Sequence, residues 1–426
     1  MADFHQNGII TTLHNLADRP TEEIEKELRA FRAQRPISLV LPCLYSELQG
    51  PALARIVEEL RSADYVDEIV IGLDRADAEQ FAHAREYFAP LPQRHRILWN
   101  DGPRLTALDD HLRGLGVAPT ERGKGRNGWY CFGYVLASGR ARAVALHDCD
   151  IITYDRGMLA RLVYPVANPQ FGYAFCKGYY ARAAEGKLNG RVTRLLVTPM
   201  LRALKATLGS VEYLDYLDSF RYPLAGEFAL NVDVLPDLRI PSDWGLEIGV
   251  LSEVHRNYAR SKLCQVEIAD LYDHKHQKLS ADDDSTGLSK MSTDICKAMF
   301  RKLATQGFTF TSESFRTIKA TYYRIALDFV EAYYKDAVMN GLEFDRHAEE
   351  QQVELFAQSL MNAGERFLAN PMETPFIPSW NRVQSASPDV LRRLLQSVEL
   401  DNIEQAPRKR AATPARAMTA MPSGTA

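Results

Sequence analysis

Two stretches, Ile37-Ser-Leu-Val-Leu41 and Glu68-Ile-Val-Ile-Gly-Leu73, decide the fold class of this 426-residue chain. Each is a short apolar run, and between them Leu53, Ile56, Val57 and Leu60 recur at helical spacing, so the reading is strand, helix, strand. The first run is expected to stop at Pro42. Arg96-Ile-Leu-Trp99 and Ala143-Val-Ala-Leu-His147 supply two further strands, with helical patterns between. Strands alternating with helices imply crossover connections and a mostly parallel sheet, an α/β architecture. In such a sheet ligands lie outside the carboxyl ends of the strands, so the segments that follow the strands carry the search for function.

Outward from that centre, residues 1–36 read as a helical lead-in, with Pro20 and Thr21 placed as helix-start residues ahead of Glu22 and Glu23. Residues 37–300 form the main domain, where Phe171 to Phe175 is strand-like and Val192 to Leu204 helical. Residues 301–401 read as a helical subdomain, because Ile318, Tyr322, Ile325 and Phe329 recur three and four apart. That stripe suits a homodimer contact or packing against the chain's own core. Residues 402–426, rich in Ala, Pro, Thr and Arg, read as a disordered tail.

Composition narrows the partners. Fifty-one basic against 55 acidic residues leave a net charge of −4, so no general field favours nucleic acid or an anionic membrane. Six scattered cysteines without a CxxC pair fit reduced thiols in a cytoplasm. No run approaches the length of a membrane span, and neither a GxxxxGK[ST] loop nor an HExxH or GxSxG pattern occurs. A small-molecule partner is the expectation.

The chemistry-bearing signals sit at the strand ends. His147-Asp-Cys-Asp150 ends an apolar strand and puts Asp148 and Asp150 at i and i+2, able to share one site. Two close carboxylates repel unless a cation lies between them, and hard oxygen ligands suit Mg²⁺ or Mn²⁺; a solvated turn has the same pattern. Gly123-Lys-Gly125 reads as a loop that lets backbone approach a ligand while Lys124 supplies charge for a phosphate. His274 and His276 alternate in an extended segment, able to bind a metal, steer a phosphate or lie at the surface. Arg191 and Thr193, in Gly190-Arg-Val-Thr-Arg194, open a helix whose amides attract an anion. Asp282-Asp-Asp284 reads as a solvated acidic loop.

Taken together, Pro42-Cys-Leu-Tyr-Ser-Glu47, Asp148-Cys-Asp150, Gly190-Arg-Val-Thr193, Tyr222-Pro-Leu-Ala-Gly-Glu227, Gly245-Leu-Glu-Ile-Gly249 and His274-Lys-His-Gln277 occur in the order of one family. Over residues 37–300 the chain resembles the glucosyl-3-phosphoglycerate synthases, retaining glycosyltransferases of the GT-A fold. The resemblance implies transfer of glucose from a nucleotide-diphosphate donor, UDP-glucose by expectation, to 3-phosphoglycerate, with Mg²⁺ or Mn²⁺ as cofactor. It implies that Asp150 and His274 hold the metal and that Pro42, Leu44, Glu47, Lys124 and Asp148 contact the nucleotide sugar. Gly190, Arg191, Thr193 and His276 then hold the acceptor, and Glu227 orients the glucose, with Asp150, Glu227 and His274 counted as catalytic. Some positions depart from the family pattern, among them Tyr45-Ser46 before Glu47 and Gly72-Leu-Asp74 at the second strand end. Two other readings remain: a mannosylglycerate or glucosylglycerate synthase using an unphosphorylated acceptor, and an inactive nucleotide-sugar-binding scaffold.

Overall fold

The strands form where the apolar runs predict them. The computed structural model describes residue 6 and residues 8–274, 287–372 and 376–404. In chain order its strands are β1 (Thr11–Leu13), β2 (Ile37–Leu44), β3 (Glu68–Asp74), β4 (Arg94–Trp99), β5 (Ala143–Leu146), β6 (Phe175–Ala181), the hairpin pair β7 (Ala183–Ala184) and β8 (Lys187–Leu188), β9 (Phe228–Asn231) and β10 (Leu263–Leu271). Eight of them make one sheet in the order β1-β10-β6-β9-β5-β2-β3-β4. Every neighbour pair is parallel except those of β9, which runs antiparallel between β6 and β5. The mostly parallel sheet flanked by helices is the expected α/β class.

Both sheet faces are covered, which is why the strands read as continuous apolar runs. Ile37, Leu39 and Leu41 of β2 pack on one side with the helices Thr21–Arg32, Pro51–Leu60 and Arg156–Ala167, while Val40 faces the other. That second face is closed by the helix Lys124–Ser138 and by the helices of the carboxyl-terminal half. From β2 the chain steps outward to β3 and β4, then returns to place β5 on the opposite side of β2. The crevice of an open sheet lies at such a reversal. Here it is bounded by the segments after β2 and β5.

Several expectations are corrected. The lead-in is not wholly helical, because β1 adds an edge strand beside β10. Pro42 does not end β2, which runs on to Leu44; past Val40 the partner strand β5 has stopped, so the proline falls where β3 is the one remaining neighbour. Residues 171–174 turn instead of extending, with Gly172 at φ +69°, and β6 begins at Phe175. Lys124 opens the helix Lys124–Ser138 and is not in a loop. Gly125 is needed there for space: a Cβ would stand 2.4 Å from the Pro241 carbonyl oxygen.

Residue 300 falls inside the helix Gly287–Thr305, and the helices Ser312–Met339 and Arg346–Ala369 share one core with the sheet. Of the stripe read from the sequence, Ile318 and Tyr322 are buried in that core, with the Tyr322 hydroxyl donating to the Leu195 carbonyl at 2.7 Å, while Ile325 and Phe329 are half-buried; the buried face of the helix runs through Phe315, Ile318, Tyr322, Ala326 and Val330. Residues 405–426, His276 and Asp282 to Asp284 lie outside the described residues. All six cysteines are buried and free, and among the described residues no helix is long and apolar enough to cross a membrane.

Candidate active site

β5 ends at Leu146, where the His147 amide still donates to the Val40 carbonyl, and the chain then leaves the sheet as Asp148-Cys149-Asp150. From the other side β10 runs out through Tyr272 to His274, which bridges antiparallel to Ile151, while the Ile152 amide donates to the Asp273 carbonyl at 2.8 Å. Two segments more than a hundred residues apart are thus stitched together. His274 Nδ1 stands 4.0 Å from Asp150 Oδ2. Its Nε2 lies 2.9 Å from the Arg182 Nη1, and since a guanidinium only donates, that nitrogen accepts and the ring proton sits on Nδ1.

The two aspartates have opposite surroundings. Asp148 Oδ1 meets Lys124 Nζ at 2.6 Å. Burial opposes its charge, but Lys124 outweighs burial and carries the pKa below the ordinary carboxylate range. Asp150 has no cation at that distance: burial, then repulsion from Asp148, with a smaller share from Glu47, outweigh the attraction of Lys124 and push it up to about 7. Its side chain is open to the cleft on one side (32 % exposed) and walled by protein elsewhere. Lys124 also reaches Glu247 at 3.2 Å, and these two carboxylates hold its pKa above the usual lysine value despite burial. The loop Pro223–Glu227 packs so tightly here that a Cβ on Gly226 would lie 2.2 Å from Asp148 Oδ2.

A divalent cation fits this donor set. Asp150 Oδ2 and His274 Nδ1 face one another across 4.0 Å, an oxygen and a nitrogen donor that could share one ion. The ion would take the place of the Nδ1 proton and supply the positive charge that Asp150 lacks. Among the described residues no cluster of three or more acidic, histidine or cysteine side chains could complete a shell, so the remaining positions would fall to substrate oxygens and water.

The other expected residues surround that centre. Pro42 is half-buried and Leu44 exposed at the end of β2, and Glu47 sits in the short 3-10 turn Tyr45–Gln49. Gly190, at φ +72°, packs against Arg182 and the Tyr222 hydroxyl, so the Gly190–Thr193 segment borders the group that touches His274. It opens a wide π turn, Val192–Val197, ahead of the helix Thr198–Leu208. Thr193 is buried with its hydroxyl unpartnered, Arg191 is half-buried, and Arg194 is committed to Glu349 at 2.9 Å. Glu227 is fully buried and accepts from two tyrosine hydroxyls. It sits immediately before antiparallel β9, which brings it to the carboxyl end of β5 and beside Gly178 of β6.

Sequence reading passed over Glu247, although it stands in the Gly245–Gly249 motif, and over Arg182 and Lys177. Lys177 on β6 is wholly buried; its ammonium donates to the Ala225 carbonyl at 2.5 Å, and burial brings its pKa down to about 8. An apolar strand gives no warning of it. Arg182, in a run of small and polar residues, carried no pattern either.

Comparison with known proteins bears on this geometry. No family model matches the chain. The glucosyl-3-phosphoglycerate synthase of Persephonella marina is 45% identical over 402 residues, spanning 94% of this chain and 99% of the relative. That of Methanococcoides burtonii is 37% identical over 412 residues, 96% of this chain and all of the relative. Among solved structures, the Mycobacterium tuberculosis glucosyl-3-phosphoglycerate synthase in complex with phosphoglyceric acid has a TM-score of 0.50 at 22% identity, covering 71% of this chain and 90% of that one. The mannosyl-3-phosphoglycerate synthase of Rubrobacter xylanophilus gives 0.52 at 20% identity, over 70% and 83%. These two likenesses establish the shared fold. With two relatives above 30% identity along nearly their whole length, and with the strand ends converging on Asp150 and His274, the chain belongs to the glucosyl-3-phosphoglycerate synthase family.

Proposed function

We propose that the chain transfers glucose from a nucleotide-diphosphate donor, with UDP-glucose expected, to 3-phosphoglycerate with retention of configuration, giving glucosyl-3-phosphoglycerate. The observation that carries the reading is the meeting of Asp150, which follows β5, with His274, which follows β10, 4.0 Å apart. A centre short of one positive charge suits a donor delivered with Mg²⁺ or Mn²⁺. Full-length identity to relatives named for this reaction supports it.

A divalent ion held by Asp150 and His274 would supply positive charge for the diphosphate leaving group. The chain's own residues do the rest. Asp150 and His274 fix the ion's place. Asp148, kept ionised by Lys124, accepts hydrogen bonds from ribose or sugar hydroxyls, and Lys124 adds positive charge on the diphosphate side. Pro42, Leu44 and Glu47 line the nucleotide's edge of the crevice. Arg191 and Thr193, with Gly190 beside them, receive the acceptor's phosphate, and holding it beside the sugar contributes chiefly through proximity. His276 is assigned to the acceptor as well but lies outside the described residues. A cytoplasmic setting fits six reduced, buried cysteines.

The test is a product assay: purified protein with Mn²⁺, UDP-, ADP- and GDP-linked hexoses, and either 3-phosphoglycerate or glycerate, read by mass. The phosphorylated glucoside is expected. Product with glycerate alone would move the chain to the unphosphorylated-acceptor class, and nucleotide binding without transfer would make it a scaffold. Arg191→Ala should raise the KM for 3-phosphoglycerate on the order of 10- to 100-fold, the worth of a charge-assisted hydrogen bond, and an unchanged KM removes the phosphate clamp.

A further inference from the structure

Glu227 is enclosed by protein. One carboxylate oxygen accepts from the Tyr180 hydroxyl at 2.8 Å and the other from the Tyr272 hydroxyl at 2.7 Å, and the residue is fully buried. The two tyrosine rings stack, centroids 3.7 Å apart and planes 5° from parallel. Tyr272 is itself buried, and its amide donates to the Ala181 carbonyl. Two residues further on comes His274, reached through Asp273, whose amide donates to the Thr153 hydroxyl at 3.0 Å. The Arg182 guanidinium lies over the Tyr272 ring at 5.5 Å while Nη1 meets His274. His274 is thus hung from an aromatic step that Glu227 pins from below.

We infer that Tyr272, anchored by Glu227 and stacked on Tyr180, is a positioning residue that sets the His274 ring at its distance from Asp150 and thereby sets the pair's affinity for a divalent cation. The inference rests on the metal reading above. A hydrogen bond at each carboxylate oxygen fixes the height of the tyrosine, and the short Tyr272–His274 link passes that constraint to the imidazole. Glu227 acts on the metal site through the two tyrosines. Groups one shell out from a metal ligand typically alter affinity 10- to 100-fold when removed.

The experiment titrates Mn²⁺ alone into the full chain and follows the free-ion electron paramagnetic resonance signal, for the wild type, Tyr272→Phe, Tyr180→Phe and His274→Ala. Tyr272→Phe keeps the ring and deletes only the anchor; its Mn²⁺ Kd should rise roughly tenfold. Turnover lost at low Mn²⁺ should return at saturating Mn²⁺ with the KM for 3-phosphoglycerate unchanged, a rescue that general loosening of the fold would not give. Wild-type Mn²⁺ affinity in Tyr272→Phe, with affinity lost in His274→Ala, overturns the positioning role and leaves the metal reading standing. Wild-type affinity in His274→Ala overturns both. If Tyr272→Phe does not fold, Tyr180→Phe frees the other Glu227 oxygen and decides in its place: a raised Kd supports the role and an unchanged one ends it.

Discussion

Charge is handled in opposite ways at the two ends of the sheet. At the amino ends of β3 and β4, Glu399 from the last helix is gripped by Arg94 at 2.7 Å and Arg96 at 2.8 Å, with the Tyr134 hydroxyl at 3.0 Å. Burial works against its charge, yet Arg96, Tyr134 and Arg94 outweigh it and keep its pKa below the ordinary value. At the carboxyl ends, Asp150 is pushed up and Lys177 is pulled down, each short of an opposite charge at bonding distance. The first cluster is complete as it stands and fastens the helix Val390–Glu404 to the sheet. In the second, Lys124 serves Asp148 and Glu247 while Asp150 and Lys177 are left uncompensated, the arrangement expected where a ligand supplies the missing partner.

If that contrast is sound, removing a charge should have opposite consequences at the two ends. The largest effect is expected for Asp150→Ala, which should lower turnover on the order of 10³-fold through loss of the ion's anchor. Its heat-unfolding midpoint should stay level or rise, because a carboxylate that burial and Asp148 disfavour is gone. Turnover near wild type, or a clear fall in the midpoint, breaks the comparison at its centre. Glu399→Ala should do the reverse. Stability is expected to drop by about 2 kcal/mol in denaturant titration, discounted for the partial exposure of the cluster, with kcat unchanged. A change in kcat without loss of stability would make the sheet's amino end part of the site.

The last effect concerns pH. Lys177 has a folded-state pKa of about 8, below the ordinary lysine value of 10.5, so between those values the unfolded chain binds more protons than the folded one. Stability attributable to Lys177 is therefore lowest below pH 8 and recovers as pH rises through the window. Measured as the difference between wild type and Lys177→Met, the recovery should reach up to about 3 kcal/mol by pH 10.5, and opposing changes elsewhere cancel in that difference. A flat difference would mean that the ammonium is well compensated and that the carboxyl-end cluster is less unbalanced than its geometry implies.

Legibility in the sequence follows from where the information is stored. β2, β3 and β5 were readable because strands covered on both faces leave unbroken apolar runs, as in Ile37 to Leu41 and Glu68 to Leu73. β1 was not, since three residues at an edge carry no period and are fixed only by their partners on β10. Among candidate site residues, Asp148, Asp150 and His274 stood out because short acidic and histidine spacings imply a shared face. Lys177, Arg182 and Tyr180 did not, because a lone polar residue inside or beside a strand has the same local signature whether it faces solvent or the site.

The sequence alone determined the α/β sheet, the importance of the strand ends and the family, because periodicity and ordered motifs are local properties that survive without coordinates. Tertiary structure alone decided which carboxylate is paired with Lys124 and which is not, and set Glu227 against a pair of tyrosines. Charge state and reach depend on neighbours drawn from β5, β6, β9 and β10 together. No spacing along one chain encodes that encounter.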